Sequence, residues 1–438
     1  MISKIKSRIK GLDVNTKEVV NKSGWSMIVK IVGLIAGFLV SIFLGRTLGA
    51  EGLGVLNLST KIIGVIMVFS LLGINTVVLK NISISFENKN WNEVANTIFS
   101  AFWITFPISI LFSILLFSIS PWLSISVFQE PELYIPLAIA SIALIFQVQS
   151  RIFSSGINGF RKIWQSNLTN DTLSYGVILI GLILFYFFDI QISLVNVAIL
   201  YGVSRLIVLL TVGTYWRTIF HFKGKRSFLG TPMLKVGLPL LLVSAGSLIS
   251  SNADAVMLGW LSSAKEVGFY SVAAKLGLMT SFFHMVTVST LSPKIASLYQ
   301  LDKIKELELM VQKVTKVLIF IGLASVFVFI VFGKFVLNLW GSEFQTAYIP
   351  LIIITIGQLF NIGTGATGII LIMTGFEKIV GRIVLIFALL NLVLNYLLIP
   401  MYGAIGAALA TAITLAFENI LKYFLLKMKL SINTIKLN

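Results

Sequence analysis

Among the charged residues inside otherwise apolar stretches, Lys30, Lys61, Arg205, Lys275 and Asp254 are the ones that could do chemistry. A charge near the middle of a bilayer costs at least ~2.5 kcal/mol on insertion scales, so each needs a partner, a wet cavity or a function. The chemistry these residue types offer is binding. Four cations attract anions, diphosphate above all, through charge-assisted hydrogen bonds. A lone carboxylate can carry a proton or a monovalent cation. The sequence holds no Gly-Lys-Ser/Thr loop, no His-Glu-x-x-His and no Gly-x-Ser-x-Gly, so ATP hydrolysis, zinc chemistry and serine nucleophiles lack a foothold. With no cysteine, disulfides and thiolate metal sites are out. The expectation is a non-enzyme with no catalytic residues, no metal and no cofactor beyond a coupling proton or Na+.

The elements that must position these residues are membrane helices. With 57% hydrophobic and 12% charged residues, the chain falls well short of the charged fraction of a water-soluble globule. Runs long enough to cross a bilayer lie at 24–45, 54–79, 95–119, 132–150, 165–188, 192–215, 236–258, 267–292, 315–337, 347–373, 380–400 and 403–424. The expected fold is all-α and polytopic, with about twelve transmembrane helices. Pro107 and Pro239 fall inside the third and seventh runs, where each removes a backbone bond and permits a kink.

The chain also repeats itself. A shift of 214 positions lays Leu44-Gly45, Ala50, Gly54 and Lys61 on Leu258-Gly259, Ala264, Gly268 and Lys275, and Tyr134-Ile135-Pro136-Leu137 on Tyr348-Ile349-Pro350-Leu351. Two related six-helix lobes are therefore expected, an arrangement that suits alternating access to a midplane site. The boundaries read as a basic tail (1–23), an N-lobe (24–216), a basic linker (217–235), a C-lobe (236–424) and a final tail (425–438). The small-residue ridge Gly33, Gly37, Ser41, Gly45 becomes Ser247, Ser251, Ala255, Gly259 in the second repeat, which allows close helix packing in lipid.

Lys61 and Lys275 are repeat partners. They either snorkel singly or face one cavity together, and their equivalent positions favour the cavity. Arg205 sits about ten residues from either end of its run and is the hardest to explain by snorkelling. Lys30 shares a helix face with Gly33 and Gly37, so it serves either the pathway or the cytoplasmic interface. Asp254 ends the polar stretch Ser250-Ser251-Asn252-Ala253-Asp254; it is either a structural partner of a lysine or a titrating, cation-coupling carboxylate. Glu418 precedes Lys422 by the four residues of a helical ion pair. His284 reads as a polar residue in a helix contact.

Of the 34 cationic residues, 27 fall in the two tails and alternate loops, against only Arg46, Lys265 and Lys334 in the opposite loops. The positive-inside rule then places both termini of this multi-pass protein in the cytoplasm. The net charge of +17 reads as topology and attraction to anionic lipid, and no nucleic-acid partner is expected.

The segment Arg46-x-Leu48-Gly49-x-Glu51-Gly52 with Gly54, and Asp254-x-x-x-Leu258-Gly259 followed by Val267-Gly268-x-Tyr270, resemble the polysaccharide flippases (Wzx-like) of the MOP exporter superfamily. The resemblance covers essentially the whole chain. It implies a two-lobed fold with a cationic cavity, and alternating access driven by an ion gradient. The implied substrate is an undecaprenyl-diphosphate-linked oligosaccharide repeat unit for O-antigen, capsule or exopolysaccharide, with the lipid bilayer and the polysaccharide polymerase machinery as partners. Arg46, Glu51, Asp254 and the motif glycines carry over by position; Lys30, Lys61, Arg205 and Lys275 as cavity residues are read from this chain alone. Two alternatives stay open: a multidrug or lipid II exporter of the same superfamily, and a membrane-embedded polysaccharide polymerase or ligase.

The orientation is directly testable. Reporter fusions after Lys89, Lys162, Lys225, Lys303 and Lys378 are expected to report cytoplasm, and fusions near Gln129, Asp189, Lys265, Glu343 and Tyr402 the opposite face. One reversed loop in either half breaks the twelve-span assignment.

Overall fold

The computed structural model describes residues 14–222 and 224–435, with side chains throughout that range except at 14–23, 171, 242–251, 289 and 290. Residues 1–13 of the basic tail, Lys223 of the linker and residues 436–438 of the final tail lie outside the described residues, as do the side chains of Asp171, Ser247 and Ser251. Every regular element among the described residues is helical.

Twelve helical segments follow one another where the apolar runs place them. They are α1 (14–48), α2 (50–71, resuming after a break as Ile74–Glu87), α3 (Trp91–Trp122), α4 (Tyr134–Gly159), α5 (163–187), α6 (Leu194–Ile219), α7 (Gly230–Leu261), α8 (Ala264–Gln300), α9 (Ile304–Leu337), α10 (Tyr348–Gly363, resuming as Thr367–Met373), α11 (Glu377–Tyr402) and α12 (Ala404–Leu430). Several depart from the apolar runs. The loop expected at 46–53 shrinks to one non-helical residue, Gly49 (φ 69°, ψ −174°). The tenth run is broken at 364–366, where Gly365 has φ +77°. α5 passes through a π-helical turn, Leu168–Thr172. Non-helical backbone at membrane depth is tolerated only where protein or a watered cavity satisfies it, so hydropathy alone does not locate such breaks. Pro107 and Pro239 do lie inside α3 and α7.

The helices gather into two compact units whose borders differ from the repeat borders. One holds residues up to 43, 63–121 and 134–244; the other holds 44–62, 122–133 and the chain from 245 on. In the first unit the small-residue ridge of α1 meets α5. A Cβ on Gly33 would fall 2.3 Å from Thr172 Oγ1, and one on Gly37 3.3 Å from the Tyr175 ring. In lipid, where no hydrophobic effect drives helices together, such close approach supplies the packing. The basic linker is strapped to α3: Asn96 Oδ1 accepts from Ser227 N and Ser100 Oγ accepts from Leu229 N, each at 2.7 Å.

In the second unit the ion pair Glu418–Lys422 forms as its spacing requires, and His284 hydrogen-bonds the backbone of Gly365 at the α10 break. The final tail docks beside that break. Thr434 Oγ1 donates to the Thr364 carbonyl at 2.7 Å, Glu308 accepts from Asn433 N at 2.9 Å, and Ile432 is fully buried in an apolar cluster with Leu307, Val311, Ile370 and Leu426. A carboxylate at Ile432 would be buried without a partner, which is costly. Ile432→Asp is therefore expected to lower the unfolding midpoint of the detergent-solubilised protein by several degrees, the scale of a ~2 kcal/mol loss, while Ile432→Leu stays close to the parent.

Candidate functional site

The chain turns from α1 into α2, and from α7 into α8, at equivalent positions. Gly49 makes the first corner with a positive φ that favours glycine. Ser263, 214 residues on, makes the second in extended backbone, and its hydroxyl accepts from Glu266 N at 3.3 Å. Arg46 Nε donates to the Leu339 carbonyl at 2.8 Å, while Glu51 is exposed. Gly259 is pressed against Leu58, where a Cβ would lie 2.7 Å from the side chain. The motif residues thus build the corners.

Just past the corners the two helices touch backbone to backbone, reciprocally. A Cβ on Gly54 would lie 1.7 Å from the Ala264 carbonyl oxygen, and one on Gly268 2.0 Å from that of Ala50. Both pairs are related by the same 214-residue shift. Only glycine fits there, because real Cβ atoms essentially never come within 3.0 Å of such neighbours.

Lys61 follows Gly54 by seven residues, and Lys275 follows Gly268 by seven. Seven residues are nearly two full turns, so each lysine lies on the face that carries its crossing glycine, about 10 Å further along the helix. The crossing therefore aims the two lysines at each other. They sense one another's charge, and Lys61 also senses Asp254.

Asp254 is buried on α7, and its carboxylate is held by three neutral donors. Tyr270 Oη donates to Oδ2 at 2.6 Å, Thr411 Oγ1 to Oδ2 at 2.7 Å and Asn395 Nδ2 to Oδ1 at 2.6 Å. Asn395 Nδ2 also lies 2.9 Å from Asn391 Oδ1, and Asn395 Oδ1 is buried without a hydrogen-bond partner. These donors come from α8, α11 and α12. Tyr270 stood in the quoted motif. Asn391 and Asn395, four apart on α11, carried a weaker signal as paired amides in an apolar run, and Thr411 carried none.

The other two candidates belong to the first unit. Arg205 on α6 lies within electrostatic reach of Tyr201, which also feels Tyr175 of α5. Lys30 on α1 is exposed. The structure brings Lys61, Lys275 and Asp254 together in one unit, with Arg205 and Lys30 in the other.

Residues 19–299 match the profile of the family described as "Polysaccharide biosynthesis protein". The chain is 25% identical to the capsular polysaccharide biosynthesis protein CapF of Staphylococcus aureus, covering 93% of this chain and 98% of that protein. It is 23% identical to a putative O-antigen transporter of Shigella flexneri, over 87% and 91% of the two chains. Among solved structures, an inward-facing multidrug resistance MATE transporter of the MOP superfamily superposes with a TM-score of 0.73 at 14% identity, covering 93% of this chain and 98% of that one. The lipid II flippase MurJ in an inward closed conformation superposes at 0.70 with 17% identity, over 95% and 90%. The fold is thus that of the MOP transporters, with nine or more helices among the described residues long and apolar enough to cross a membrane.

If the hydroxyls of Tyr270 and Thr411 act through the carboxylate, Tyr270→Phe and Thr411→Val should each cost roughly 1.5–3 kcal/mol of stability, the range for a hydrogen bond to a charged group. In an Asp254→Leu background the same changes should cost little. Unfolding in detergent, read as double-mutant cycles, checks this. Strictly additive effects would show that the cage does not work through Asp254.

Proposed function

Because the chain belongs to the polysaccharide biosynthesis protein family, we propose that it is a flippase, carrying undecaprenyl-diphosphate-linked oligosaccharide repeat units across the bacterial cytoplasmic membrane by alternating access. On this reading the cation-rich face and both termini are cytoplasmic, the bilayer supplies the lipid-linked substrate, and the polymerase machinery receives it on the far side. The protein makes and breaks no covalent bond.

The observation that carries the proposal is the pair Lys61 and Lys275, set at equal depth and facing each other by the glycine crossing. Two ammonium groups held together away from bulk water repel. A diphosphate in their reach relieves the repulsion and accepts charge-assisted hydrogen bonds from both. A cationic drug would add to the repulsion, which sets this site apart from one built to export cations.

Asp254 is the residue we assign to ion coupling. Asn395 Oδ1 is an acceptor with no partner beside the carboxylate, so the residues fit a proton or Na+. Asp254, Asn395 and Thr411 would supply the oxygens. An added positive charge there also changes the field felt by Lys61, which links the coupling site to the substrate site by electrostatics. Gradient energy can bias the cycle only through such a difference between states.

Flipping of a fluorescent undecaprenyl-diphosphate-linked oligosaccharide in proteoliposomes tests both assignments. The Lys61→Ala, Lys275→Ala double variant is expected to lose at least about 90% of the rate, the scale set by one or two charge-assisted hydrogen bonds. Asp254→Asn is expected to keep substrate binding and lose its response to an imposed ion gradient. Normal flipping by the lysine double variant would sink the substrate assignment, and unchanged gradient-driven flipping by a stable Asp254→Asn protein would rule out the coupling role.

A further inference from the structure

The α2–α8 crossing is bound by more than glycine contact. Ala50 and Ala264 are the first residues of their helices, where backbone N–H groups have no partner within the helix. Glu343, in the short helix Ser342–Ala347 that follows α9, accepts from Ala50 N at 2.8 Å. Its Oε1 atom also fills the space that a side chain at Gly49 would need, 2.9 Å from an added Cβ. Glu130, in the loop that follows α3, lies within reach of the backbone amide of Ala264. The two amides are 214 residues apart and the two carboxylates 213, so the same device occurs in each repeat.

The pairing is swapped. The acid from the first repeat caps the helix of the second, and the acid from the second caps the helix of the first. A cap within one repeat would survive any relative motion of the repeats, whereas these two can form only while the start of α2 lies against the start of α8. Both caps sit at the end of the helices that carries few cations, beside the carbonyls of Ala50 and Ala264 that the crossing glycines touch. Carboxylate caps at helix starts gain from the helix dipole and from charge-assisted bonding.

We propose that Glu130 and Glu343 are gate-positioning residues: paired, swapped helix caps that hold the cation-poor end of the α2–α8 crossing shut and let go together in each transport cycle. The inference rests on the alternating-access reading above. Burial and the neighbouring carboxylates of Glu51 and Glu132 push the Glu130 pKa above the ordinary range, while the Ala264 amide pulls it back. Arg46 spends its Nε–H on the Leu339 carbonyl, and Lys265 lies over the Phe269 ring.

The chain has no cysteine, so a single Asn57→Cys change gives one reactive thiol, three residues deeper on α2 than Gly54. A membrane-impermeant maleimide applied from the cation-poor side reads how often the crossing opens. Combining Asn57→Cys with Glu130→Ala and Glu343→Ala is expected to speed labelling about tenfold, the scale of one lost charge-assisted hydrogen bond. The Glu130→Gln, Glu343→Gln pair keeps an accepting oxygen and should label at a rate nearer the Asn57→Cys parent. Each single alanine variant is labelled too, and only protein eluting as one species is scored, so that misfolding cannot mimic opening. Unchanged labelling in the alanine variants overturns the proposal, as does a glutamine pair that labels as fast as the alanine pair. Labelling needs no substrate: a normal labelling response from a protein that flips no oligosaccharide would undermine the flippase reading and leave the gate assignment standing.

Discussion

The backbone contact between α2 and α8 at Gly54 and Gly268 sets the positions of the groups around it. No side chain fits between these helices there, since an added Cβ at either glycine would overlap a carbonyl oxygen. Approach this close brings Cα–H groups against carbonyl oxygens and lets dispersion replace the hydrophobic effect that lipid denies. Helical periodicity does the rest: what lies two turns beyond each glycine must face its counterpart, and in both repeats that residue is lysine.

Concentrating like charge in this way needs compensation nearby, and Asp254 supplies part of it. Its carboxylate is dressed by one phenol, one hydroxyl and one amide. Neutral donors stabilise a buried carboxylate without cancelling its field, so Lys61 still feels it. Lys61 is thus within electrostatic reach of both Asp254 and Lys275.

Much of this was legible in the sequence because duplication exposes what single motifs hide. The 214-residue shift picks out Gly54, Gly268, Lys61 and Lys275 as pairs, and hydropathy finds each helix, although α9 starts 11 residues before its run and α4 ends nine beyond its own. Other features follow from tertiary contact and leave little local trace. Glu130 and Glu343 read as ordinary loop acids until Ala50 and Ala264 come beside them. Asn391 and Asn395 become a cage only when α11 lies against α7. The one-residue corner at Gly49 lies in a stretch whose polarity suggests a longer loop. The docking of Ile432 and Thr434 depends on a break in α10 that hydropathy runs straight through.

On the proposed alternating-access reading, the duplication lets the crossing be both tight and reversible. Each half of the contact repeats the other: glycine on carbonyl, carboxylate on amide, in both directions. Such interlocked halves favour joint loss, because tilting one helix away breaks contacts contributed by both repeats at once. A contact that is lost as a set gives two discrete arrangements, the property alternating access requires. The corners themselves are not identical. A glycine with positive φ stands in the first repeat and a serine in extended backbone in the second, and the serine hydroxyl already caps the amide of Glu266. The second corner is thus partly satisfied from within its own repeat, whereas Ala50 N is held by the partner repeat's Glu343. Of the two swapped caps, the one at Ala50 therefore ties the corner that has less of its own to hold it.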